Sequence, residues 1–130
     1  MKDAGREIKA VIFDLDGTLV DTADEFITVV RALRDTHGLA PLPAAQVRQS
    51  VSNGSGALVT LALDCPPSDP RYEQWRLQFL EDYEQLLGTQ AKPYPGLPLL
   101  VKQLHNAGVS WAVATNKFRR YAEPLMAAMN

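Results

Sequence analysis

One cysteine in 130 residues, Cys65, excludes an internal disulfide framework and suits a reducing compartment, so a cytoplasmic location is expected. No apolar run approaches the length of a membrane-spanning helix, and the charged stretch Met1–Lys9 has no apolar signal segment behind it, so no membrane association is expected. Charge of one sign is equally scarce. The 13 basic and 15 acidic residues are interspersed and leave a net charge of −2, which offers no electrostatic footprint for nucleic acid. Repeats and low-complexity tracts are absent. The only two histidines, His37 and His105, fall at expected helix ends and read as surface residues. What remains is a chain 46% apolar, long enough for one modest domain with a core or for part of a larger one.

Its organising stretch is Ala10–Asp21, AVIFDLDGTLVD. Ala10-Val11-Ile12-Phe13 is continuously apolar, the pattern of a strand buried on both faces of a parallel sheet. It ends abruptly in charge, with Asp14, Asp16 and Asp21 within eight residues. If the strand continues for two positions, its alternation turns Asp14 and Asp16 to one side, and Gly17 then frees the backbone to leave. Two carboxylates held together repel each other and need something to neutralise them. Mg²⁺ does this with few protein oxygens, because it keeps several waters and binds substrate phosphate. The carboxyl ends of parallel strands are also where open α/β sheets place ligands.

The pattern changes to helix after Asp21. Thr22 and Glu25 have capping-box spacing, Phe26, Ile27, Val29, Val30 and Leu33 form a stripe, and Gly38 supplies a stop, predicting a helix over Ala23–His37. Leu42-Pro43 opens a shorter helix through Val47 and Val51, and Ser52–Gly56 breaks it. Leu58–Leu63 predicts a third helix. A fourth, long and aromatic, is expected from an Asp69 N-cap with Pro70 at its first position, through Tyr72, Trp75, Phe79 and Tyr83 to Gly88. The aromatic stripe reads as bundle core rather than a ligand-stacking face. Four successive helices between strands predict a separate helical layer.

Pro93-Tyr94-Pro95-Gly96 is a rigid turn, followed by an amphipathic helix through Leu99, Leu100, Val101 and Leu104, with Gly108 as its stop. Val109–Ala114 is the second apolar strand and ends in Thr115-Asn116-Lys117. Strand, helical crossover and strand predict a parallel pair with Thr115 beside Asp14.

Asp14-Leu15-Asp16-Gly17-Thr18-Leu19-Val20-Asp21 resembles the first motif, DxDGTLxD, of the haloacid dehalogenase-like phosphatases. That resemblance implies an α/β fold with a Rossmann-like parallel core, its first two strands present here, and an inserted four-helix cap. The core would comprise residues 1–21 and 92–130, and the cap residues 22–91. It further implies that Asp14 attacks phosphorus to form an aspartyl-phosphate and that Asp16 serves as acid and then base. Mg²⁺ would be held by Asp14 and, through its backbone carbonyl, Asp16. Gly17, Thr18, Thr115, Asn116 and Lys117 would lie at the phosphate, and Asp21 would complete the motif and order the turn. An acid at position 16 fits phosphatases rather than the dehalogenases that name the superfamily.

PYPG at the return, TNK after the second strand and the run TNKFRRYAEPLM are similar to phosphoglycolate phosphatases and N-acetylmuramic acid 6-phosphate phosphatases. The partner implied is therefore a small phosphorylated metabolite, read by the cap segment that contains Ser52, Asn53 and Gly54. That segment has no basic residue, the nearest being Arg48. The family's third motif, a lysine, and its fourth, an acidic pair, are expected after further strands and are not found in residues 1–130. The 130 residues alone are therefore expected to be inert and prone to self-association through unpaired strand edges. A phosphosugar mutase of the same superfamily and a non-catalytic phosphate-binding or interaction fragment are the alternatives.

Overall fold

The computed structural model describes residues 5–129. In chain order the elements are β1 (Ala10–Phe13), β2 (Val20–Asp21), α1 (Ala23–Thr36), α2 (Ala44–Ser50), a 3-10 turn (Val51–Asn53), α3 (Gly54–Leu63), α4 (Tyr72–Leu86), β3 (Lys92–Pro93), α5 (Leu97–Asn106), β4 (Ser110–Val113) and α6 (Arg119–Ala128). The fold is α/β. β1 and β4 pair in parallel with Phe13 opposite Val113, and Ala114 N–H donates to the Phe13 carbonyl at 2.8 Å. The two strand ends that carry the polar clusters therefore lie side by side.

β1 is not buried on both faces. Phe13 is buried, but Ile12 is 70% exposed. Val11 and Phe13 turn toward a cluster that includes Val113, Leu97, Val101, Leu104 and the α6 residues Leu125 and Met126, and Ile12 points the other way, as strand alternation requires. Among the described residues, α5 and α6 cover one face of this pair and nothing covers the other. The apolar stripe of α5 is correspondingly Leu97, Val101 and Leu104; Leu99 and Leu100, expected on it, are exposed.

Helices α1 to α4 pack around a second cluster centred on Phe26, Val29, Val30, Leu58, Val59, Phe79 and Tyr83. Burying apolar side chains of this size stabilises by about 1.5–3 kcal/mol each, which is why this stripe holds the layer together. The aromatic rows interlock: Phe26 stacks on Tyr83 at 4.4 Å and on Phe79 at 6.2 Å. Tyr121 of α6 joins this cluster, and Leu87 touches both clusters.

Three local expectations are corrected. Thr22 and Glu25 form no capping box, because stronger claims take both side chains: Thr22 Oγ1 donates to Asp16, and buried Glu25 accepts from the N–H groups of Gln90 and Ala91. The Asp69 carboxylate accepts from Arg71 N–H two residues on, closing an Asx turn, so α4 starts at Tyr72 and not at Pro70. Ser52–Gly56 is no open loop. A single 3-10 turn joins α2 to α3, and Gly54, at φ +89°, begins the new helix. Gly56 then lies so close to α4 that a Cβ there would collide with the Tyr72 hydroxyl.

A two-residue antiparallel ladder, β2 with β3, was not anticipated. It pairs Val20 with Pro93 and Asp21 with Lys92, so the strand leaving the parallel pair and the strand returning to it run side by side.

Candidate active site

The site begins in the turn after β1. The strand stops at Phe13, so a tight turn and not strand alternation presents the two carboxylates. The Leu15 carbonyl accepts from the N–H groups of Thr18, Leu19 and Val20, Gly17 N–H donates to Val20 at 2.9 Å, and Gly17 takes φ +77°, which favours glycine. Leu15 is fully buried beneath the turn. With Leu15 pinned inward, Asp14 and Asp16 on either side line one cavity of about 300 Å³.

From the β4 side the cavity receives Thr115, Asn116 and Lys117. Lys117 N–H donates to Thr115 Oγ1 at 3.1 Å, which folds the TNK stretch back on itself. From the helical layer come Ser52 and Gly54. Asp14, Asp16, Thr115, Asn116, Lys117, Ser52 and Gly54 are thus brought together. Gly17, Thr18 and Asn53 are exposed and do not line the cavity. Ser55, Phe26 and Tyr83 line it unforeseen. The sequence signal for Tyr83 was the aromatic stripe of α4 and for Phe26 the apolar stripe of α1, whose residues serve as bundle core and, at one end, as cavity wall; Ser55 had no signal beyond its place in the Ser52–Gly56 break.

The side chains differ in how firmly they are held. Asp14 Oδ1 accepts from Leu15 N–H at 2.8 Å, and the residue is otherwise exposed. Asp16 Oδ1 accepts from Thr22 Oγ1 at 2.9 Å and from Lys117 Nζ at 3.1 Å. The ammonium also stands 4.7 Å from the centre of the Tyr83 ring and 5.3 Å from that of Phe26. Burial, with the nearby Asp16 and Glu25 carboxylates adding to it, pushes the Tyr83 hydroxyl well above the usual phenol range. Asp21 accepts from Ala23 N–H and pairs with Arg48, whose other nitrogen reaches Asp24, each ion pair at 3.1 Å. Arg48 is therefore spent on the start of α1.

Asp14 and Asp16 supply hard oxygen donors of the kind Mg²⁺ takes. No group of three or more His, Cys, Asp or Glu residues that could hold a metal occurs among the described residues. A two-residue set fits an ion completed by waters and a phosphate oxygen, and does not fit a closed all-protein cage. No described helix is long and apolar enough to cross a membrane.

Against known proteins, the family model for haloacid dehalogenase-like hydrolases matches residues 8–130. The chain is 43% identical over 119 residues to the N-acetylmuramic acid 6-phosphate phosphatase of Pseudomonas aeruginosa, covering 92% of this chain and 53% of that protein. It is 40% identical over 109 residues to the phosphoglycolate phosphatase of Xanthomonas campestris, covering 84% of this chain and 49% of that protein. The chain thus spans about half the length of these relatives. Among solved structures, a predicted phosphoglycolate phosphatase from Haemophilus somnus superposes with a TM-score of 0.79 at 24% identity, over 95% of this chain and 58% of that one. CbbY from Rhodobacter sphaeroides, solved with phosphate, superposes with a TM-score of 0.68 at 22% identity, over 95% of this chain and 57% of that one. By the match of nearly its whole length, the chain belongs to the haloacid dehalogenase-like hydrolase family.

Proposed function

We propose that this chain carries the nucleophile-bearing portion of a Mg²⁺-dependent phosphomonoester hydrolase that works through an aspartyl-phosphate. The observation that carries the reading is the pair Asp14 and Asp16 on one turn, lining one cavity together with Thr115 from the end of the neighbouring strand. An Asp14 carboxylate oxygen bonds to phosphorus while the bond from phosphorus to the leaving oxygen breaks, and Asp16 gives that oxygen a proton. Asp16 then takes a proton from the water that cleaves the acyl phosphate, which restores both side chains and frees phosphate. Thr115 and the Asn116 N–H hold the transferring group, and Gly17 and Thr18 shape the turn beneath it. Mg²⁺, held by Asp14 and the Asp16 carbonyl, supplies charge neutralisation for phosphate when bound.

Residues 22–91 act as a cap over this site, and residues 1–21 with 92–130 as part of the core. Ser52 and Gly54 line the cavity, which supports a cap that reads the organic part of the substrate there. The names of the similar proteins favour phosphoglycolate or N-acetylmuramic acid 6-phosphate as the small metabolite. A buried, unpaired Cys65 is in keeping with a cytoplasmic location. The test is phosphate release by the complete gene product from both metabolites and from an aryl phosphate, with Mg²⁺ and with EDTA. Mg²⁺-dependent release preferring one metabolite is expected. No release from any of the three, or full activity in EDTA, contradicts the reading.

A further inference from the structure

The loop after β4 sends one charged side chain away from solvent. The Lys117 side chain is 9% exposed, and its ammonium is sandwiched between the Asp16 carboxylate at 3.1 Å and the rings of Tyr83 and Phe26. Those rings stack on each other and come from α4 and α1, that is, from the helical layer, whereas Lys117 and Asp16 belong to loops of the strand layer. A desolvated ammonium requires partners of this kind, and a pair shielded from water holds its geometry better than a screened surface pair. Among the described residues, both donors to Asp16, Thr22 Oγ1 and Lys117 Nζ, fall on Oδ1. Oδ2 has no such donor and is the oxygen left to exchange a proton.

We propose that Lys117 is a positioning residue: standing on the Phe26–Tyr83 pair, it clamps Oδ1 of Asp16 so that Oδ2 carries the proton delivered to the leaving oxygen. This rests on the phosphatase reading above. Proton delivery leaves Asp16 as a carboxylate paired to Lys117, so charge and protons balance without a further reactant. Because the rings belong to the helical layer, Asp16 is in register when that layer sits over the strand layer and loses one support when it lifts away. The clamp thus ties cap closure to the acid, and in this role Lys117 touches none of the reacting atoms.

Leaving-group dependence separates this role from phosphate binding. An aryl leaving group departs with little need of a proton, whereas an alkyl oxygen needs one, and kcat/KM reports the steps through departure of the leaving group. In the complete gene product, the ratio of kcat/KM for phosphoglycolate to that for p-nitrophenyl phosphate should fall at least about tenfold in Lys117→Met, since general acid catalysis is worth about 10²–10⁴-fold in all. Lys117→Arg should recover part of the ratio, because it restores the charge. If circular dichroism shows Lys117→Met unfolded, Lys117→Gln, uncharged but able to donate, reads the same ratio. An equal fall on both esters would make Lys117 a phosphate ligand and overturn the clamp, as would an unchanged ratio. Where wild type prefers N-acetylmuramic acid 6-phosphate, that alkyl ester replaces phosphoglycolate in the ratio; a wild-type protein that hydrolyses none of the three esters would overturn the phosphatase reading itself, and the clamp with it.

Discussion

Glu25 is fully buried, and its Oε1 accepts from the N–H groups of Gln90 at 3.2 Å and Ala91 at 3.1 Å, joining the first helix to the segment that returns from the helical layer. Glu25→Ala removes the acceptor for both donors. A buried donor left without a partner costs about 1–3 kcal/mol, the Gln90 donor counting less because its residue is half-buried. Deleting Oε2, which has no partner among the described residues, offsets part of this. The net expected loss is about 2–4 kcal/mol. Glu25→Gln is the control: its carbonyl oxygen can accept both bonds, and its amide nitrogen replaces the unpartnered oxygen, so it should cost less than about 1 kcal/mol. Urea unfolding followed by circular dichroism gives both values, and hydrogen exchange at the Gln90 and Ala91 amides localises the effect, which should appear as lost protection there in Glu25→Ala. Equal stabilities for the Ala and Gln variants, or unchanged protection at both amides, would refute the reasoning.

The Tyr83 hydroxyl is buried with no partner among the described residues, so Tyr83→Phe should stabilise at neutral pH by up to about 1 kcal/mol. Its raised pKa adds a sign: the folded state keeps a proton that the unfolded chain loses above about pH 10, so this contribution is fully present below that value and is lost as pH rises through the higher folded value. Urea midpoints from about pH 8 to about pH 11 should therefore fall more steeply in wild type than in Tyr83→Phe, and equal slopes would count against it. Ser52→Ala should shift relative kcat/KM among phosphoglycolate, N-acetylmuramic acid 6-phosphate and an aryl ester, because a lost hydrogen bond penalises substrates selectively; a uniform change would mean that Ser52 does not read the substrate. Residues 1–130 expressed alone should release little or no phosphate, since the lysine and acidic pair that the family resemblance implies are not found among them, and should sediment above monomer mass through the unpaired outer edges of the two-stranded β1–β4 sheet. A stable, active monomer of those residues would contradict both halves of that expectation.

The parallel pairing, the helix order and the meeting of Asp14, Asp16 and Thr115 were legible because each rests on local periodicity or on a motif whose spacing is its own constraint. The corrections share a physical cause. Thr22 and Glu25 have capping-box chemistry, yet tertiary partners at Asp16 and at Gln90–Ala91 outcompete the helix start, and no local pattern reveals a partner 65 residues away. Ile12 looked buried because a continuous apolar run implies two covered faces, while only α5 and α6 supply cover among the described residues. The Lys117 contacts were beyond reach for the same reason: the sequence places the lysine after the strand but cannot say that rings from two helices, 91 and 34 residues earlier, will form its floor.

The central claim is that Asp14 is the group phosphorylated. It is tested most directly by measuring turnover of a phosphomonoester with Mg²⁺ by the complete gene product, wild type beside Asp14→Asn, with circular dichroism of both. An amide at this position cannot serve as the nucleophile, so turnover should be abolished while the spectrum is unchanged. Near-wild-type hydrolysis by a folded Asp14→Asn protein would contradict the account.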